Sequence, residues 1–109
     1  MKTERTIFKT CLLCAAVLQA LTSGAQPVTK IAGGEYHSLF LKSDGSLWVM
    51  GWNQYGQLGD GTANLASFSP EQIIASNVTA IAAGYQHSLF LKNDGSLWAM
   101  GYNSAGQLG

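Results

Sequence analysis

Two histidines, His37 and His87, stand fifty residues apart, and each is followed by a serine. Histidine is the side chain best suited to holding a metal or moving a proton near neutral pH, so chemistry is sought there first. Neither has a second His, a Cys or an Asp at ligand spacing, and a metal site needs converging ligands. Ser38 and Ser88 fall in strand-like runs, not on the sharp strand-to-helix elbow that presents a nucleophile. Asp44, Asp60 and Asp94 each precede a glycine. That is turn chemistry, which accounts for each carboxylate alone without pairing any two as acid and base. Gly33-Gly34 and Gly56-x-x-Gly59 lack the lysine and the strand–helix setting of a phosphate loop. The two histidines are expected to be structural, each serving its own unit through a hydrogen bond from imidazole to backbone. No catalytic residue, no metal and no cofactor is expected, and the chain does not read as an enzyme.

The histidines match because the chain repeats itself. Val28 to Gly59 returns as Val78 to Gly109 without a gap, and 23 of the 32 aligned positions are identical. A repeat of this length marks a propeller blade or a solenoid coil, in which each unit buries its faces against its neighbours. The reading divides the chain into residues 1–25, a first repeat over 26–77 and a shortened second repeat over 78–109. The first copy continues past Gly59 where the second stops, so the chain is expected to be the N-terminal piece of a longer protein.

Residues 1–25 read as an address. Lys2, Arg5 and Lys9 precede the apolar run Cys11–Leu21, and Ser23-Gly24-Ala25 supplies small residues before a cut. That order is a secretory signal peptide, with an apolar run too short for a membrane span. Export to the periplasm, cell surface or medium is expected, with cleavage after Ala25. Cys11 and Cys14 leave with this segment, so the mature part holds no disulfide and no thiolate. Its charges are three lysines (30, 42 and 92) against five carboxylates (35, 44, 60, 71 and 94), a net of −2 without arginine. Binding to nucleic acid, or to an anionic membrane surface, needs clustered cations that this segment lacks. Asn77-Val78-Thr79 is a formal glycosylation sequon, which matters only in a host that modifies such sites.

The elements that position these residues are strands. His37 to Lys42 and Ser46 to Gly51 flank Ser43-Asp44-Gly45, and an Asp-Gly between β-rich runs predicts a hairpin. Asn93-Asp94-Gly95 repeats the device. Val28 to Ala32 and a run near Glu71 to Ile74 bring the count to four strands per repeat. Leu39 and Leu41 alternate with Phe40, and Leu47 and Val49 with Trp48 and Met50. Both faces of the sheet are therefore apolar and both must be covered. Four-stranded antiparallel sheets stacked around an axis provide that cover, and the fold expected is all-β, a partial β-propeller of under two blades.

Ala-x-Gly-x-x-His-Ser-Leu, then Asp-Gly-Ser-Leu-Trp, then Gly-x-Asn-x-x-Gly-Gln-Leu-Gly together resemble the repeat of the regulator-of-chromosome-condensation family. In the first copy the matching residues run from Gly34, His37, Ser38 and Leu39 through Asp44, Gly45, Trp48 and Gly51 to Asn53, Gly56, Gln57, Leu58 and Gly59. The resemblance implies a propeller, typically of about seven blades, with further blades of the same chain as the first partners. Its founding members are nuclear, bind chromatin and drive nucleotide exchange on a small GTPase. The signal-like N-terminus and the missing basic residues depart from them, and secreted bacterial propellers are nearer in location.

Positions kept in both copies serve the blade, and those that differ are free for other work. Chief among the latter are Glu35, Tyr36, Trp52, Gln54 and Tyr55, matched by Tyr85, Gln86, Tyr102, Ser104 and Ala105. In a meander, the loops after strands one and three leave from the same end. Tyr36, Trp52, Tyr55, Tyr85 and Tyr102 are thus expected in loops on one rim, as a surface for a protein or glycan partner. The function expected is a secreted or surface-exposed protein-binding module. The alternative is a non-catalytic accessory propeller of an exported enzyme whose catalytic domain lies beyond residue 109.

Overall fold

The computed structural model describes residues 26–109, and the signal-like segment lies outside the described residues. Seven strands follow in chain order: β1 Val28–Gly33, β2 His37–Lys42, β3 Leu47–Trp52, β4 Ala66–Ile74, β5 Val78–Ala83, β6 His87–Lys92 and β7 Leu97–Gly101. The first four form one antiparallel sheet in the order β1-β2-β3-β4, here blade 1. The last three form a second sheet in the order β5-β6-β7, here blade 2. Among the described residues no helix is long and apolar enough to cross a membrane. β4 begins earlier than the sequence indicates. It lies on the outer edge of its sheet, where Pro70, lacking an N–H, removes no interior ladder bond.

The β2–β3 hairpin explains why Asp-Gly-Ser-Leu-Trp recurs. Asp44 Oδ1 accepts from the Ser46 backbone N–H at 3.0 Å and from the Ser46 hydroxyl at 2.6 Å. Ser46 Oγ in turn accepts from Trp48 Nε1 at 2.9 Å. Asp94, Ser96 and Trp98 repeat the relay at 2.9, 2.6 and 3.0 Å. The bond from the serine hydroxyl, followed by that from the serine N–H, holds both carboxyls below the usual carboxylate range. These aspartates are turn residues, and so is Asp60, which accepts from the Thr62 N–H and hydroxyl at 2.8 and 2.6 Å.

The core lies between the blades. Leu39, Leu41, Leu47, Val49 and Leu58 of blade 1 pack with Val78 and Phe90 of blade 2, and Ile81, Ala83 and Met100 close the edge of the cluster. The pairing Leu39↔Val49 and Leu41↔Leu47 places the blade 1 residues on one face of their sheet. Ser88↔Met100 and Phe90↔Trp98 define the opposite face of blade 2. Blade 2 therefore lays its serine–phenylalanine face on the leucine face of blade 1, as successive propeller blades do.

A polar bond crosses that apolar interface. His37 Nε2 lies 2.8 Å from Ser88 Oγ, and both residues are buried. Ser88 Oγ donates to the Gln57 carbonyl at 2.8 Å, so it accepts from the imidazole, which carries its proton on Nε2. Nδ1 is buried without a partner. His37 thus does not serve its own blade through a backbone contact, as the sequence suggested; it reaches the next blade. The reason is that its side chain shares the leucine face of β2, which blade 2 covers. Burial holds its pKa below the ordinary histidine value; the His87 main chain opposes that shift, and the His87 charge adds to it. The His37 ring also lies over Gly34, where any Cβ would collide with Nδ1, Cε1 and the Gly84 carbonyl. This explains the Gly-x-x-His spacing: the glycine leaves room for the imidazole three residues on.

Candidate functional site

The β1–β2 loop and the segment after β3 leave blade 1 at the same end. The first is closed by Gly34 N–H to His37 O at 2.8 Å, and it meets the second through Trp52 N–H to Tyr36 O at 2.8 Å. Gly51 permits this approach. Its φ is 110°, and a Cβ there would strike the Tyr36 carbonyl and come within 2.7 Å of His37 Cα.

Beyond β3, the loop is held by buried amides. Asn53 Oδ1 accepts from Leu58 N–H at 2.9 Å, while Asn53 Nδ2 reaches Asp60 Oδ1 and Thr62 Oγ1, each at 3.2 Å. Gln57 Oε1 accepts from Tyr55 N–H at 3.0 Å. Asn103 and Gln107 make the corresponding bonds to Leu108 and Ala105 at 2.7 and 3.0 Å. The recurrent Asn and Gln thus fix the loop's path, and the variable positions between them, Gln54 and Tyr55, stand on a rigid support.

The structure brings several of the variable positions together. Tyr36, Trp52, Gln54 and Tyr55 of blade 1 and Gln86 of blade 2 line one cleft of about 360 Å³. Tyr55 packs on Tyr102 across the blades, with centroids 4.7 Å apart and the rings tilted by 58°. Tyr36, Tyr55, Tyr85 and Tyr102 are exposed. Trp52 is the last residue of β3 and half-buried, not a loop residue. Tyr85 stands apart from the cleft: the Glu35 carboxylate facing its hydroxyl raises its pKa above the usual phenol value. Glu35 N–H also donates to Tyr85 O at 3.2 Å, tying the two blades at this end. Gln86 is the cleft residue that sequence comparison leaves without a role. It differs between the copies, and only the juxtaposition of the blades makes it part of a wall.

Such a cleft, aromatic with a few amides, falls within the size range of sites that grip a small group. It holds no cation and no paired carboxylates. Among the described residues no three His, Cys, Asp or Glu gather as metal ligands.

Stacked antiparallel meanders, here of four and three described strands, whose loops share one rim define a class, the β-propeller repeat proteins. Comparison with known proteins specifies the kind. The regulator of chromosome condensation (RCC1) repeat matches residues 28–57 and 78–107, and a second description of the same repeat matches 44–91. The chain belongs to that family. It is 57% identical over 37 residues to the X-linked retinitis pigmentosa GTPase regulator homolog of Caenorhabditis elegans, covering 34% of this chain and 3% of that protein. It is 43% identical over 56 residues to the ultraviolet-B receptor UVR8 of Arabidopsis thaliana, covering 51% of this chain and 12% of that protein. In the solved structure of Kap60 bound to yeast RCC1 (Prp20), the match has a TM-score of 0.66 at 35% identity, over 75% of this chain and 19% of that one. The chain therefore spans a small part of the proteins it resembles.

Proposed function

We propose that this chain contributes two blades to an exported protein-binding propeller, and that the aromatic cleft at the blade 1–blade 2 junction is where it grips its partner. The observation that carries the reading is the coincidence of variation and geometry. Tyr36, Trp52, Gln54 and Tyr55, four of the positions that differ between otherwise near-identical copies, line one cleft with Gln86, while most of the positions the copies share build the sheets and the interface. Yeast RCC1, a similar propeller, is solved with a protein, Kap60, bound to it. Tyr and Trp give large contact area with few rotors to immobilise, which suits the centre of a protein interface. The signal-like order of residues 1–25 supports an extracytoplasmic partner, and the absence of arginine after Arg5 argues against nucleic acid.

The test replaces Trp52 and Tyr55 with alanine and measures both melting temperature and capture of extracellular proteins per folded molecule. Removing anchors of this kind typically costs about 2 kcal/mol or more, roughly thirtyfold in affinity. Capture should fall by at least that factor with little change in melting. If melting collapses while capture per folded molecule is unchanged, the rings serve packing and the rim is not the site.

A further inference from the structure

The cleft at the blade junction carries polar groups that the blades do not use, and these narrow the chemistry of what it takes. Elsewhere the fold itself engages its amides and indoles. Asn53, Gln57, Asn103 and Gln107 hold backbone N–H groups of their own loops. Trp48 and Trp98 donate Nε1 to serine hydroxyls. Gln54, Gln86 and Trp52 differ. Their side chains make no hydrogen bond to another described residue, yet all three line the cleft with Tyr36 and Tyr55. Their backbone is nonetheless held. Trp52 N–H donates to Tyr36 O, and Gln86 O accepts from Tyr102 N–H at 2.9 Å. Tyr55 is pinned by its N–H on Gln57 and by its ring on Tyr102. The walls are preorganised, so a ligand is spared much of the cost of ordering them.

Charge narrows the choice further. None of the five lining residues is charged near neutral pH. Lys42 and Lys92 lie over the Trp48 and Trp98 rings, and the Glu35 carboxylate faces the Tyr85 hydroxyl, apart from the cleft. An ionic ligand would find no counter-charge on these walls. A neutral ligand with a flat apolar face and a polar edge would find both of its partners. A pyranose ring is such a ligand. Its C–H face lies on the electron-rich face of an aromatic ring. Its hydroxyls each donate and accept, as a primary amide does. The same positions on blade 2 are Gln86, Tyr102, Ser104 and Ala105. The rings of Tyr36 and Tyr55 have no counterpart there, so the combination belongs to this junction and not to the repeat.

We propose, resting on the reading that this cleft is where the chain grips its partner, that it takes a neutral pyranose unit of a glycan. The sugar stacks on Trp52 and Tyr55, and the Gln54 and Gln86 amides, one from each blade, hold its hydroxyls. The indole Nε1 of Trp52 is a further donor at the same wall. A glycoprotein and a free polysaccharide present the same unit, and the assay separates the two sources.

The experiment uses the full-length purified protein and immobilised neutral oligosaccharides of glucose, galactose, mannose and N-acetylhexosamine units. Sulfated counterparts and a lysine-rich peptide serve as charged controls. At least one neutral series should bind with saturation, and more tightly than either control. Tyr55→Ala removes an exposed ring and should weaken that binding about tenfold at unchanged melting temperature. Gln86→Glu keeps the size of the side chain, removes its donors and adds a negative charge. Sugar binding should fall about tenfold, while a cationic ligand would bind better. Failure of every neutral oligosaccharide to bind, tighter binding of a charged control, or sugar binding unchanged by Gln86→Glu would each overturn the proposal. Capture of a glycoprotein that is lost when its glycans are removed enzymatically identifies one source, and retention of a purified neutral polysaccharide the other. The two readings fail separately. If the alanine variants of Trp52 and Tyr55 lose protein capture while no neutral sugar binds, the cleft still grips a partner and only the sugar is wrong. If neither capture nor sugar binding depends on the rings, the site itself is lost.

Discussion

Ser88→Ala removes one oxygen from the centre of the blade interface, and its cost can be worked out from the structure. The hydroxyl accepts from His37 Nε2 at 2.8 Å and donates to the Gln57 carbonyl at 2.8 Å. Ser88 is 0% exposed and His37 is 3% exposed, so water does not readily replace it. The substitution leaves a buried N–H and a carbonyl without their partners. At about 1–3 kcal/mol for each orphaned group, less some recovery by relaxation, the expected loss is about 2–4 kcal/mol. At roughly 0.05–0.15 kcal/mol per residue, a segment the size of residues 26–109 holds about 4–12 kcal/mol in all, so the loss is a large fraction. The assay is urea unfolding of the purified chain, read as the shift of its midpoint. His37→Ala and the double variant complete a cycle. If the relay is real, the two single losses do not add, because either one already breaks the bridge, and a coupling of about 1 kcal/mol or more is expected. A loss below about 0.5 kcal/mol for Ser88→Ala, or strict additivity in the cycle, would refute the reasoning.

Other consequences are as specific. The folded pKa of His37 is depressed, so between that value and the ordinary value near 6.5 the unfolded chain binds more protons; stability should be full above about pH 6.5 and decline as pH falls towards the folded pKa. His37→Gln should flatten that decline in a pH series of unfolding curves, and an unchanged slope would count against the assignment. Gly51→Ala should be far more harmful than Gly61→Ala: both glycines have positive φ, but only at Gly51 does a Cβ meet backbone, that of Tyr36 and His37. Strain alone costs about 1 kcal/mol at Gly61, and thermal melting of the two variants compares them directly. N-terminal sequencing of the exported product should begin at Gln26, and a product that retains Met1 would exclude cleavage. Residues 26–109 should show no salt-sensitive retention of DNA in a filter assay, since the three lysines there are scattered and outnumbered by carboxylates.

Much of the fold is legible along the chain because it depends on local rules. The Asp-Gly pairs mark the hairpins, and the alternation of Leu39, Phe40 and Leu41 marks a strand with two faces to cover. The fifty-residue repeat gives the stacking of like units. The gathering of the variable aromatics at one end follows from meander geometry alone. The Gly-x-x-His spacing is visible too, but its cause is not: only the folded chain shows an imidazole lying over a glycine. The relay from His37 through Ser88 to Gln57 is equally hidden. Its partners are distant in sequence, and one of them is a backbone carbonyl that any residue would carry.

The sequence determined what each blade is: its strands, its turns, and the two apolar faces that leave it unable to stand alone. It could not determine which face is covered, because the copies are nearly the same. Leu47 and Leu97 are the same residue in the same local setting, yet one is 0% exposed and the other 66%. Phe90 is buried, while Phe40, its twin, is only half-buried. Burial is a property of the neighbour, not of the residue, and only the tertiary structure sets which sheet lies against which. The same stacking step that buries the blade 1 leucine face brings Gln86 and Trp52 into the wall of one cleft.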